Sequence, residues 1–128
     1  MEHIMKLYAE NFDVLKSGEK IREYRLNDEK RKLVKVGDTI RFVRLPDMDE
    51  EYVVDVIGIE TFDNWYDCYL KYYDEDFKDS YDSVEDVVQD TYDGGYYTKE
   101  ESNKYGVVVF TIKKHEIIKG VNNTLIKK

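Results

Sequence analysis

The 128-residue sequence predicts a small α+β domain: a mostly antiparallel curled sheet or partly closed β-barrel with peripheral helices. Three observations carry that expectation. Strand-like apolar runs stand at 4–8, 39–45, 52–62 and 107–114. Apolar residues switch to helical spacing between Phe62 and Tyr92. The order is strand, helix, strand, further strands, late helices and a final strand.

"IMKLY" (4–8) reads as the first strand. Asn11 is placed to cap a short helix through its side-chain oxygen, with Phe12 and Leu15 on the buried side. Gly18 stands where a helix ends in the left-handed conformation. The chain then enters "KIREYRL" as a strand beginning at Lys20. "NDEKRKLVKVGD" (27–38) is a connection with one helical turn after Asn27, and "VGD" is the turn that closes it. Ile40, Phe42 and Val43 mark "TIRFVRL" (39–45) as the next strand. Pro46, the sole proline, falls in the loop "PDMDEE". "YVVDVIGIETF" (52–62) is the longest strand, with Gly58 marking a bend or bulge.

The middle turns helical. Phe62, Trp65, Tyr69 and Tyr72 form one face of an amphipathic helix. "SVED" (83–86) matches a capping box, Val84, Val87, Val88 and Tyr92 form the stripe behind it, and "DGG" (93–95) stops that helix. "TKEE" (98–101) is a second capping box, opening a short helix that ends near Tyr105–Gly106. "VVVFTIKK" (107–114) is nearly continuous in apolar residues, which places it in the sheet centre. Residues 1–115 read as a single domain and 116–128 as a basic C-terminal extension, either an edge strand or a tail.

Composition narrows the function classes. Apolar residues at 41% suit a small globule, large enough to bury a core without disulfide staples. No apolar run approaches the ~20 residues that span a bilayer, and the N-terminus lacks the pattern of a signal peptide. One cysteine, Cys68, permits no internal disulfide, so a cytoplasmic location is expected, with Cys68 a small buried hydrophobe. The net charge of −8 argues against a simple phosphate-binding surface. It is unevenly placed, however: Asp47 to Glu101 holds 19 acidic and three basic residues, leaving nine acidic and 17 basic in the two ends. The acidic helices are expected on the far side from any anion site, keeping the protein soluble, and could also guide a basic protein partner.

"GEKIREYR" (18–25) reads as a strand although five of its eight residues are charged. Alternation puts Ile21, Glu23 and Arg25 on one side and Arg22 and Tyr24 on the other. If Ile21 faces inward, Glu23 and Arg25 follow it. One reading is a structural ion pair at a barrel mouth, since unpaired buried charge is costly. The other is a polar pocket with Lys20 at the rim and Glu23 and Arg25 below, a fork of donors beside an acceptor.

"SGEKIREYR" resembles the G-x-K-x-x-E-x-R signature of ASCH domains, a family with a PUA-like β-barrel fold. The resemblance extends through "RLNDEKRKLVKVGDTIRF" and reappears at "YYTKEESNKYGVVVFTI". It implies RNA binding, with the signature residues Gly18, Lys20, Glu23 and Arg25 lining a cleft. Asn27, Asp28 and Arg31 belong to the family-like continuation, and Tyr97, Lys104 and Tyr105 approach from the late segment. Some ASCH relatives are small amidohydrolases that deacetylate N4-acetylcytidine. Those carry a threonine where this chain has Glu23, and a carboxylate is no replacement for an activated hydroxyl.

The leading expectation is therefore an RNA-, nucleotide- or nucleoside-binding module without a cofactor, its ligand residues Gly18, Lys20, Glu23, Arg25, Asn27, Arg31, Tyr97 and Lys104. The alternative is a small hydrolase of acylated nucleosides or RNA, with Lys20 and Glu23 as an acid–base pair. Tyr96 and Tyr97, beside two glycines, are candidates for stacking on bases. Trp65, Tyr69 and Tyr72 are expected to form a core-facing or half-buried stripe instead. His3 and His115 lie at opposite ends, and no metal-ligand spacing is present.

Overall fold

The computed structural model describes residues 1–116; the region 117–128, and with it nearly all of the expected C-terminal extension, lies outside the described residues. Five strands form one mixed, curled sheet. They are β1 (Glu2–Tyr8), β2 (Arg22–Leu26), β3 (Thr39–Leu45), β4 (Glu51–Phe62) and β5 (Val107–Lys114), in the order β1-β3-β4-β5-β2. Only β1 and β3 run parallel, from Glu2↔Thr39 to Tyr8↔Leu45; the other three pairings are antiparallel. The late helices are α2 (Trp65–Tyr72), α3 (Val84–Asp93) and α4 (Lys99–Tyr105), and α1 (Ala9–Lys16) follows β1.

Alternation along the strands builds two cores, one on each face of the sheet. Met5, Leu7, Ile40, Phe42 and Val54 meet Phe12 and Leu15 of α1 on one face. Leu26, Val107 and Val109 meet Trp65, Cys68, Tyr69 and Val87 of the helical layer on the other. β5 feeds both, with Val108, Phe110 and Ile112 in the first core, which is why its sequence shows no polar alternation. Paired on both sides by β4 and β2, it is an interior strand as expected. The register of β4 shifts between Val56 and Gly58, so the glycine does mark a bulge. Cys68 is fully buried, and burial followed by the Glu60 and Asp76 charges pushes its thiol up to about 12.

Four expectations need correction. Asn11 does not cap α1: the helix leaves β1 directly, with Tyr8 at the cap position in extended geometry, and Asn11 lies inside the first turn. The strand β2 begins at Arg22 rather than Lys20. Ile21 is only entering the ladder, through its carbonyl to the Ile112 amide at 2.9 Å, and its side chain stays 46% exposed. Phe62 ends β4 instead of opening α2, whose cap is Asn64, accepting from the Asp67 amide at 2.8 Å. Ser83 caps α3 through the Asp86 amide, but the reciprocal arm of a capping box is seen only at Thr98 and Glu101.

Gly18 (φ +87°) and Gly106 (φ +73°) sit where their neighbours require a positive φ. Gly18 donates to the Leu15 carbonyl as α1 ends, and Gly106 turns α4 into β5. No helix among the described residues is long and apolar enough to cross a membrane.

Candidate functional site

β2 is an edge strand, and its two faces do different work. Glu23 lies opposite Phe110 and Arg25 opposite Val108, so both project onto the face of the first core. Glu23 is 2% exposed. Its Oε2 accepts from Arg25 Nε at 2.6 Å, and Lys20 Nζ lies 2.5 Å from Oε1, outside hydrogen-bonding angles. Oε1 therefore has an ion-pair partner but no directed donor. Burial would raise the Glu23 carboxyl; the Lys20 and Arg25 charges outweigh it and hold the group below the usual carboxylate range. Arg25 also reaches across the seam of the sheet, Nη2 donating to the Lys6 carbonyl of β1 at 2.9 Å. The two edge strands of the half-barrel are thus tied by one guanidinium.

The other face of β2 grips the acidic segment. Arg22 pairs with Asp76 at 2.7 Å and Glu75 at 2.8 Å and lies over the Tyr72 ring. Tyr24 donates to the second oxygen of Asp76. These contacts hold a π-helical turn, Tyr73–Phe77, against the strand. The acidic middle is therefore not wholly remote from the site strand, because Arg22 holds Glu75 and Asp76 against β2.

A cleft of about 450 Å³ opens along the edge of β2. Lys20, Glu23, Arg25 and Arg31 form its polar floor, with Lys6, Tyr8 and Asn11 on one flank. The opposite wall is aromatic: Tyr69, Phe77, Tyr81 and Tyr97. Asp90, Thr91 and Tyr96 complete it. Tyr97 packs its ring on Trp65 at 5.1 Å; burial raises its hydroxyl, opposed by the nearby Arg25 charge. Among the described residues that hydroxyl has no hydrogen-bond partner. Arg31 binds Asp28 through Nη1 at 3.1 Å, while its Nε is buried without an acceptor.

Comparison with known proteins decides the family. The ASCH domain model matches residues 5–116. The chain belongs to the ASCH domain family. The crystal structure of the hypothetical protein PH0355 is similar at 31% identity and a TM-score of 0.74, over 90% of this chain and 100% of that one. The solution structure of protein PF0455 from Pyrococcus furiosus is 32% identical with a TM-score of 0.67, over 91% and 100%. An ASCH protein from Zymomonas mobilis shares the fold at 14% identity and a TM-score of 0.56, over 90% of this chain and 68% of its own. No curated protein matches. The PUA-like fold class expected from the sequence is the one observed.

This ASCH domain gathers only part of the predicted site. Lys20, Glu23, Arg25, Arg31 and Tyr97 converge on the cleft. Asn27 and Lys104 line a separate depression of about 600 Å³, beside Asp63 and Asp67. Asn27 goes there because its amide pairs with the Gly106 carbonyl at 3.0 Å, carrying the end of β2 toward the α4–β5 joint. Gly18 lines neither cavity; its place is the turn after α1. Tyr96 is exposed at the mouth, 5.8 Å from the Tyr8 ring, whereas Tyr97 is tied to the helical core.

Sequence reasoning missed Lys6, Tyr8, Asn11, Tyr81 and Asp90. Lys6 and Tyr8 carried a signal: they are outward positions of β1, next to inward Met5 and Leu7. Tyr81 and Asp90 carried none, since only the packing of α3 against α2 brings them to β2. Among the described residues no group of three or more His, Cys, Asp or Glu side chains is placed to hold a metal ion.

Proposed function

We propose that this ASCH domain binds single-stranded RNA by taking one unpaired nucleotide into the cleft beside β2. The observation that carries the reading is the Lys20–Glu23–Arg25 cluster, a buried carboxylate between two partly exposed cations, at the floor of a cleft with an aromatic opposite wall. A volume of about 450 Å³ falls in the range of small-ligand sites, roughly 300–1,000 Å³, and suits a nucleotide rather than a duplex. RNA binding is also what is generally inferred for ASCH domains.

The cluster divides the labour differently from the simple sequence picture. Glu23 is engaged by Lys20 and Arg25, so its work is to fix them. Lys20, partly exposed, meets a phosphate or carbonyl oxygen. Lys6 and Arg31 add cationic donors around it, and Tyr97 offers a hydroxyl and a ring edge. Base–aromatic stacking contributes about 1–3 kcal/mol per base, enough to hold an unpaired nucleotide on a protein of net charge −8. The lone buried thiol suits a reducing cytoplasm.

The same geometry favours binding over hydrolysis. An acid–base role would need Glu23 to exchange protons near neutral pH, and two adjacent cations hold it ionised. The acidic helical face is a weaker handle for a basic protein partner, because Glu75 and Asp76 are already paired with Arg22.

Fluorescence anisotropy of a short mixed-sequence RNA, across a salt series, tests the reading. With three phosphates neutralised, the slope of log K against log salt is about −2. Lys20→Ala/Arg25→Ala removes the binding. No binding of the wild-type domain at low salt overturns it.

A further inference from the structure

We infer that Asp90 reads the base in this cleft, favouring guanine and disfavouring uracil, and thereby sets the direction in which the nucleotide lies. The inference rests on the RNA-binding reading and goes beyond it. Among the described residues, two carboxylates line the cleft, Glu23 and Asp90. Glu23 is engaged by Arg25 and Lys20. Of the two, Asp90, on the exposed edge of α3, is the carboxylate with no ion-pair partner among the described residues.

Its surroundings orient it. Tyr81 Oη donates to Asp90 Oδ2 at 2.5 Å, and Oδ1 has no partner among the described residues. Burial and then the Asp90 charge push the Tyr81 hydroxyl up to about 12, so it remains a donor at neutral pH. The neighbouring Thr91 hydroxyl is occupied, by Tyr69 at 2.7 Å and the Val87 carbonyl at 3.0 Å. Beside Thr91 the wall therefore presents a carboxylate oriented at one oxygen by Tyr81.

Charge then decides the orientation. A phosphate is repelled by Asp90 and attracted to Lys6, Lys20 and Arg31, which puts the neutral base against the α3 side. The Watson–Crick edges of unpaired bases differ in what they offer a carboxylate. Guanine presents two adjacent donors, the N1 imino and the N2 amino groups. Cytosine and adenine present one amino group beside an acceptor. Uracil presents one imino group between two carbonyls, and those carbonyls face the carboxylate unfavourably.

Four labelled heptamers, uridine runs with guanosine, cytidine, adenosine or uridine at the centre, are titrated at low salt. Proteins are wild type, Asp90→Asn, Tyr81→Phe and Lys20→Ala. Guanosine at the centre is expected to bind about tenfold tighter than uridine, as for one good base contact. Asp90→Asn brings the two within about twofold, since an amide suits both edges. Tyr81→Phe, which leaves the carboxylate present but unheld, reduces the ratio without abolishing it. Asp90 and Tyr81 are distinguished from structural residues by that ratio, which a general loss of fold does not move. Heptamers that bind and depend on Lys20, yet show no guanosine preference or keep it in Asp90→Asn, overturn this inference and leave the RNA reading standing. Failure of all four to bind wild type overturns both.

Discussion

Arg25 holds Glu23 at 2.6 Å from one guanidinium nitrogen and the Lys6 carbonyl at 2.9 Å from another. One side chain thus connects the cleft floor to the open seam between β2 and β1. Site and fold are energetically coupled at this point.

Removing Glu23 alone should therefore be costly. Glu23→Gln leaves Lys20 and Arg25 without a counter-charge in a mostly buried setting. The expected loss is about 3 kcal/mol, the low end for a broken buried pair because Lys20 reaches solvent. Replacing both members, as Glu23→Leu/Arg25→Leu, should cost less than the sum of the single changes, since neither leaves a stranded charge. Urea midpoints of wild type, Glu23→Leu, Arg25→Leu and the double variant at neutral pH complete the cycle. Additive losses would show that the pair is not coupled as the geometry indicates.

Acid should destabilise the domain in part through Glu23 and Asp38. His3 Nε2 at 2.8 Å, then the Lys35 amide at 3.0 Å and the terminal ammonium at 3.2 Å, hold the Asp38 carboxyl down to about 2. Glu23 is held low against its burial by Lys20 and Arg25. A carboxyl depressed in the folded state binds fewer protons there than in the unfolded chain. Its contribution is therefore complete above the ordinary values of 4.5 for Glu23 and 3.8 for Asp38, and disappears as pH falls through the folded ones. Stability should be insensitive to these two groups near neutrality and fall below about pH 4.5. Asp38→Asn should flatten the most acidic part of that limb. An unchanged limb in the variant would remove Asp38 from the account.

The connection into β5 depends on Gly106. A Cβ there would stand 2.9 Å from the Phe62 carbonyl oxygen, and φ +73° with ψ −167° is a region open almost only to glycine. Gly106→Ala is expected to cost about 3 kcal/mol. Gly95 has a similar φ of +75° but nothing within 4 Å, so Gly95→Ala should cost only about 1 kcal/mol. Thermal melts of the two variants separate the clash from the backbone preference. Equal losses would mean the carbonyl moves aside freely.

Legibility in the sequence tracked locality. The bounds of β3 and β5 match the expected runs 39–45 and 107–114 because both are apolar and preceded by glycine turns at Gly37 and Gly106. Thr98 and Glu101 announced α4 from within a single helical turn. Ile21 misled, since period-two alternation applies only once the ladder has formed, and the ladder starts one residue later. The π-helical turn at Tyr73–Phe77 had no local apolar signal; Arg22 and Tyr24, some fifty residues away, hold it. Lys20, Glu23 and Arg25 were visible as one charged strand. The wall they face was not, because Tyr81 and Asp90 reach the cleft through helix packing alone.

The sole tryptophan reports on that wall. Trp65 is buried, donates from Nε1 to Ser102 Oγ at 2.9 Å, and carries the Tyr97 ring on its face at 5.1 Å. Tyr97 in turn lines the cleft with a hydroxyl that has no hydrogen-bond partner among the described residues. A nucleotide that meets Tyr97 must alter the environment of Trp65, so its emission should change on RNA addition with the same midpoint as anisotropy. Tyr97→Phe keeps the ring packed and removes only the hydroxyl. It should leave the melting temperature nearly unchanged and weaken binding about fivefold, the effect of losing one hydrogen bond of about 1 kcal/mol. Ser102→Ala should do the opposite. It strands a buried indole N–H at a cost of about 1–3 kcal/mol in stability, with little effect on affinity in the folded fraction. Binding that proceeds at full affinity in Tyr97→Phe, with no change in Trp65 emission in wild type, would place the nucleotide away from this wall.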